Sequence, residues 1–214
     1  MIEISNIITP ECGVEIYSYI QPFFENEILA KITCRPMQEI YGDLVERSKG
    51  RFEIIPPKWL EKKIWEILLQ NESFVKINQE LRRRIGIGRC VQELGILPVE
   101  ANTPAGAWHR DVFLEDFERS PYYITQIIYL DDKSSTELCI DSHQNSNSDP
   151  DFYYKTRVCA ELYSSLIFDG RTLHRGLSNN TNTTRYAIYI SYYEQSYIDL
   201  ESILPNFADV KKSP

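Results

Sequence analysis

A chain of 214 residues with a net charge of −8 at pH 7 has room for one substantial core and little for two. Its 43% apolar and 25% charged residues are ordinary for a globular domain. The acidic balance argues against a general binder of nucleic acid or anionic membrane, which needs an excess of Lys and Arg.

The chain reads as one domain, with a helical N-terminal part over about 1–86 and a β-rich core over about 87–195. The stretch 57–71 opens on Pro57 and repeats Leu60, Ile64, Ile67 and Leu68 at helical spacing, which predicts an amphipathic helix. Ser73 is expected to cap a second helix carrying Phe74, Val75, Ile77 and Leu81, ended by Gly86. The run Arg82, Arg83, Arg84 falls at that helix's C-terminal end, where the dipole favours positive charge, and reads as solvated rather than as a phosphate site. Downstream, short runs at 90–97, 107–113, 123–130, 138–140, 158–168 and 185–193 read as strands between polar turns. Many short strands after two helices predict a mainly β (α+β) fold, a jelly roll with bracing helices. The polar stretch 141–151 is expected to be a mobile loop on the barrel rim, an exposed connection more readily than a lid. The tyrosines of the last strands read as barrel core.

Cys12, Cys34, Cys90, Cys139 and Cys159 are odd in number and form no Cys-x-x-Cys pair, which suggests reduced thiols rather than a disulfide framework or a zinc site. No stretch reads as a signal peptide or a bilayer-crossing segment, so a cytoplasmic protein is expected and the sequons at Asn71, Asn179 and Asn182 are expected to be coincidental.

The chemistry concentrates in two separated motifs. In Trp108-His109-Arg110-Asp111, residues two apart on a strand share a face, so His109 and Asp111 are placed to bind one metal ion. His174 would complete the set from a distant strand, giving the two-His, one-carboxylate triad of non-haem Fe(II) oxygenases. Arg185, eleven positions after His174, offers a planar, permanently charged fork suited to the far carboxylate of a dicarboxylic keto acid whose other end chelates the metal. The competing reading for Arg185 is an internal ion pair.

The residues around these motifs resemble the phytanoyl-CoA dioxygenase (PhyH-like) family over about 88–194. The stretch 165–192 runs through Phe168, Asp169 and Gly170 to His174, then an Asn-rich loop, then Arg185, and is similar to that family's C-terminal signature. Tyr129-Leu130-Asp131-Asp132 resembles its Leu-Asp-Asp strand end. Glu137 to His143 resembles its Gly-x-Leu…Pro-Gly-Ser-His turn, with Gly and Pro lost here.

The resemblance implies a double-stranded β-helix using Fe(II) and 2-oxoglutarate to oxidise a C–H bond with dioxygen, releasing succinate and CO2. It places the metal on His109, Asp111 and His174 and the co-substrate on Arg185, with His143 in a local hydrogen-bonding role. Because Asp111 is present, hydroxylation, desaturation or ring closure is implied rather than halogenation. Gly176 stands where the family often has a small hydroxyl residue, so one usual hydrogen bond to the co-substrate is missing. By alternation Thr125, Ile127 and Tyr129 share a face and are candidates for the floor of the co-substrate pocket, with Gln92 as a further polar contact. Trp108, Arg110, Phe113 and Arg175 flank the metal ligands and are candidates to line the substrate site, while the acidic surface suggests a small-molecule substrate. Two other classes stay open: a jelly-roll binding scaffold without turnover, and a cupin-like metal enzyme that does not use 2-oxoglutarate and would tolerate loss of Arg185.

Overall fold

The computed structural model describes residues 3–32, 43–112, 122–132, 134–159 and 161–194. Three elements precede the first expected helix: β1 (Glu3–Asn6), α1 (Pro10–Ile32) and a hairpin of β2 (Asp43–Ser48) with β3 (Arg51–Ile55). They are followed by α2 (Lys58–Leu68), α3 (Glu72–Ile85), β4 (Cys90–Val99), β5 (Tyr123–Tyr129), β6 (Ser135–Cys139), β7 (Lys155–Cys159), β8 (Ser164–Asp169), β9 (His174–Gly176) and β10 (Arg185–Glu194). A seven-stranded sheet has the order β1-β8-β5-β10-β4-β3-β2, and a three-stranded sheet the order β7-β6-β9. Every strand pairing in both is antiparallel. Two facing antiparallel sheets whose strands cross from one to the other make a double-stranded β-helix.

The N-terminal part is therefore not simply helical: β1, β2 and β3 extend the larger sheet at both edges. Their alternation is short, and the partners that join β1 to β8 and β3 to β4 lie far away in sequence, so local periodicity did not reveal them. The expected strand 158–168 is two strands, because Tyr163 adopts φ 65° and the Ser164 amide turns back onto the Glu161 carbonyl. Over its described residues, 107–112, the expected strand 107–113 reduces to a single bridge, His109 with His174, made by two backbone hydrogen bonds of 3.0 and 2.9 Å.

The helices cover one face of the larger sheet. Leu60, Ile64, Ile67 and Leu68 of α2 and Phe74 of α3 are fully buried, against Tyr186, Ile188, Ile190 and Tyr192 of β10 and Ile96 of β4. Each such side chain contributes roughly 1.5–3 kcal/mol relative to exposure. Asn71, not Ser73, flanks the start of α3. Its amide bonds elsewhere, accepting from the Thr9 amide at 2.9 Å and donating to the Ile67 carbonyl at 3.1 Å, so it ties α2 to the start of α1. Gly13 of α1 lets that helix lie on the Tyr163 ring, which a Cβ would approach to 2.0 Å. Arg83 and Arg84 pair with Glu80 on the solvent side of α3, as the helix-end reading expects.

Asn71 and Asn179 are buried with their amides bonded, and the four cysteines among the described residues are free thiols. No helix among the described residues is long and apolar enough to cross a membrane.

Candidate metal and co-substrate site

The opposite face of the larger sheet looks into a cavity of about 660 Å³, with Arg185, Ala187, Tyr189 and Ser191 of β10 along its wall. Strand alternation accounts for this division, because the residues between them, from Tyr186 to Tyr192, face the helices.

His109, Asp111 and His174 converge at this cavity, each offering one ligand atom, all within 4.8 Å of one another. The Asp111 Oδ1 lies 3.9 Å from His109 Nε2 and 3.6 Å from His174 Nε2. Each imidazole is oriented from behind: His109 Nδ1 sits 3.1 Å from the Ala107 carbonyl and His174 Nδ1 2.9 Å from the Thr172 carbonyl. A carbonyl can only accept, so each Nδ1 acts as the donor, and Nε2 is the nitrogen left facing the other ligand atoms. Thr125 Oγ1 donates to Asp111 Oδ2 at 2.5 Å, leaving Oδ1 turned to the two imidazoles. Phe168 packs edge-on against the His174 ring at 4.7 Å, and burial lowers the His174 pKa, which keeps that imidazole neutral. Two imidazole Nε2 atoms and one carboxylate oxygen, gathered at the cavity, fit a divalent transition metal.

Arg185 is buried and reaches the cavity. Its Nη1 donates to the Ser178 carbonyl at 3.2 Å and its Nη2 to the Leu177 carbonyl at 3.0 Å. Burial lowers its pKa, and the charge of Asp131 opposes that effect. The Asn-rich loop that supplies those carbonyls is held by Asn179, whose Nδ2 donates to Val99, Glu100 and Thr183 carbonyls at 2.8–2.9 Å. Thr125, Ile127 and Tyr129 do share the cavity face. Tyr129 Oη is 2.8 Å from Thr136 Oγ1, and burial raises its pKa.

Other candidates fall elsewhere. Gln92 faces the helices, where it donates to Asn78 Oδ1 at 2.6 Å; one step of alternation separates it from the cavity-facing Glu93. Trp108 and Arg175 lie off the cavity wall: Arg175 stacks over the Trp108 ring at 4.5 Å and pairs with Glu137 at 2.7 Å. Arg110 touches the cavity, but its guanidinium donates to the Ser142, Arg171, Asn145 and Asn147 carbonyls. It thereby fastens the 141–151 loop, expected to be mobile, to the segment between His109 and Asp111. In the turn Ser142–Gln144 the local bonding is done by Ser142, which donates to Cys139 O at 2.7 Å and accepts from Leu173 N at 2.8 Å, while His143 stands apart from the triad. Phe113 lies outside the described residues.

Sequence reasoning missed Arg51, Glu53, Glu93 and Tyr189 on the cavity wall. Arg51 and Glu53 sit on β3, where the alternation Arg-Phe-Glu-Ile was the available signal. Glu53 accepts from Tyr189 Oη at 2.5 Å and pairs with Arg47.

No family model matches the chain, and no curated protein matches it in sequence. Solved structures do. AviO1 from Streptomyces viridochromogenes Tue57 shares 16% identity at a TM-score of 0.62, over 90% of this chain and 89% of that one. The non-heme alpha ketoglutarate dependent carbocyclase SnoK from nogalamycin biosynthesis shares 12% at 0.62, over 90% and 80%. EvdO2 from Micromonospora carbonacea var. aurantiaca, solved with 2-oxoglutarate, shares 12% at 0.54, over 90% and 86%. At such identities the likeness is one of fold, and it agrees with the double-stranded β-helix read from the strand order.

Proposed function

We propose that this chain is an Fe(II)- and 2-oxoglutarate-dependent dioxygenase of the PhyH-like kind, oxidising a C–H bond of a small metabolite. The observation that carries this reading is that two Nε2 atoms, one carboxylate oxygen and the Arg185 guanidinium all face one cavity. The 2-oxoglutarate dependence of SnoK, which has the same fold, supports it.

In this reading His109, Asp111 and His174 hold the iron by the atoms that their backbone and Thr125 contacts leave facing forward. Bound iron supplies the redox chemistry by which 2-oxoglutarate and dioxygen become succinate and CO2 as the substrate C–H bond is oxidised. Arg185 takes the distal carboxylate. Its anchor, the Leu177 carbonyl, is three residues beyond His174, so the guanidinium and the second imidazole are placed by one short stretch of chain. Ile127, Tyr129 and Ala187 form an apolar floor between, which excludes water and strengthens the charge pairing. Glu53, Glu93 and Tyr189 line the same cavity, so a molecule bearing hydroxyl or amino groups suits that wall.

Succinate formation from 2-oxoglutarate by Fe(II)-loaded protein in air, with a panel of small metabolites, tests the proposal. Turnover is expected in the wild type, absent in His109→Ala, and lost in Arg185→Ala at limiting 2-oxoglutarate. Activity that survives Arg185→Ala would favour a metal enzyme using no 2-oxoglutarate, and a wild type that binds neither iron nor 2-oxoglutarate would leave the scaffold reading.

A further inference from the structure

Arg51 stands in the same cavity as Arg185, and the strand register explains why. Val99 of β4 is paired with Arg51 of β3 on one side and with Arg185 of β10 on the other. Residues directly opposite across antiparallel strands point to one face, so the two arginines and Val99 form a row across the sheet, all three lining the cavity.

The two guanidinium groups meet at one atom. Arg51 Nη2 donates to the Leu177 carbonyl at 2.7 Å, the carbonyl that Arg185 Nη2 also uses at 3.0 Å. Arg51 further donates from Nε and Nη2 to the Pro104 carbonyl, at 3.0 and 2.7 Å. Burial and the neighbouring Arg185 charge together pull its pKa down to about 10. Its hydrogen-bond partners among the described residues are thus neutral carbonyls, and it makes no ion pair with a described carboxylate. Two like charges held together in a partly desolvated site favour an anion between them.

The remaining amino group, Nη1, is turned toward Gly176. A Cβ on Gly176 would sit 2.9 Å from it, so the glycine leaves the room in which this end of Arg51 lies.

We propose that Arg51 is a binding and specificity-determining residue for the co-substrate: with Arg185 it clamps the distal carboxylate and makes the site select a dianionic over a monoanionic 2-oxo acid. This rests on the 2-oxoglutarate reading above. Gly176 is the partner of that role, since any side chain there would displace Nη1.

The test is isothermal titration of protein loaded with Mn(II), a redox-inert stand-in for Fe(II), using 2-oxoglutarate and 2-oxobutanoate, which lacks the distal carboxylate. Arg51→Ala should weaken 2-oxoglutarate about 10- to 100-fold, the scale of one charge-assisted hydrogen bond, and leave 2-oxobutanoate within about twofold. Arg51→Lys should fall between. Gly176→Ala should weaken 2-oxoglutarate in the wild-type background and have no further effect in Arg51→Ala, because the two changes remove one interaction. Equal losses for both acids, which a merely structural tether to Pro104 and Leu177 would give, or no loss for either, would overturn the proposal. If those results come while Arg185→Ala still weakens 2-oxoglutarate, the dioxygenase reading survives; a wild type that binds no 2-oxoglutarate ends both.

Discussion

The two faces of the larger sheet are built from alternate residues of the same strands, yet they obey different rules. Toward the helices, Tyr186, Ile188, Ile190 and Tyr192 share one core with α1, α2 and α3, and the few polar groups there, such as Gln92 and Asn78, satisfy one another. Toward the cavity, Arg185, Tyr189 and Ser191 stand beside Glu53, Glu93 and Thr125, and like charges are tolerated side by side. One face carries the stability and the other tolerates groups whose burial is costly. A fold can hold such a site only because the opposite face is closely packed.

If that division holds, a change on either face should register in one kind of measurement and not in the other. The largest effect is expected on the helical side: Ile64→Ala removes a fully buried side chain of α2 and should cost about 2–5 kcal/mol in chemical denaturation, with metal affinity per folded molecule unchanged. A loss of metal affinity in that variant would mean that the faces are coupled. Next comes Thr125→Val, which keeps volume but removes the donor to Asp111 Oδ2. Metal affinity should fall about 10- to 100-fold while the melting temperature barely moves, as titration with Mn(II) would reveal. The smallest effect belongs to Gln92→Ala. Breaking its bond to Asn78 should cost about 1 kcal/mol in stability and nothing in 2-oxoglutarate affinity, the opposite of what a co-substrate contact would show.

Gln92 and Arg51 together show where sequence reading succeeds and where it stops. Gln92 is one residue from a cavity position, and a one-residue error in which face points inward exchanges a site residue for a helix-packing one. Arg51 was hidden because its strand is five residues long and pairs with β4, whose register partner Val99 is 48 positions away. Thr125, Ile127 and Tyr129 were legible as a set because alternation needs no partner, although the inward direction had to come from packing. The 141–151 loop has an anchor outside itself. Its composition shows a polar connection, and the Arg110 hydrogen bonds to its carbonyls come from a residue whose reach could not be read from spacing.

The sequence by itself determined the two helices through their periodicity and most of the core strands through alternation, and it put His109, Asp111, His174 and Arg185 forward as a candidate set through residue type and order. These are local or combinatorial properties, and they persist in the linear chain. Only the tertiary structure decided which face of each strand looks into the cavity, that β1, β2 and β3 belong to the sheet, and that Arg51 stands beside Arg185 against Gly176. Those facts depend on strand register and on contacts between residues far apart in the chain, which exist only once the sheets have closed on each other.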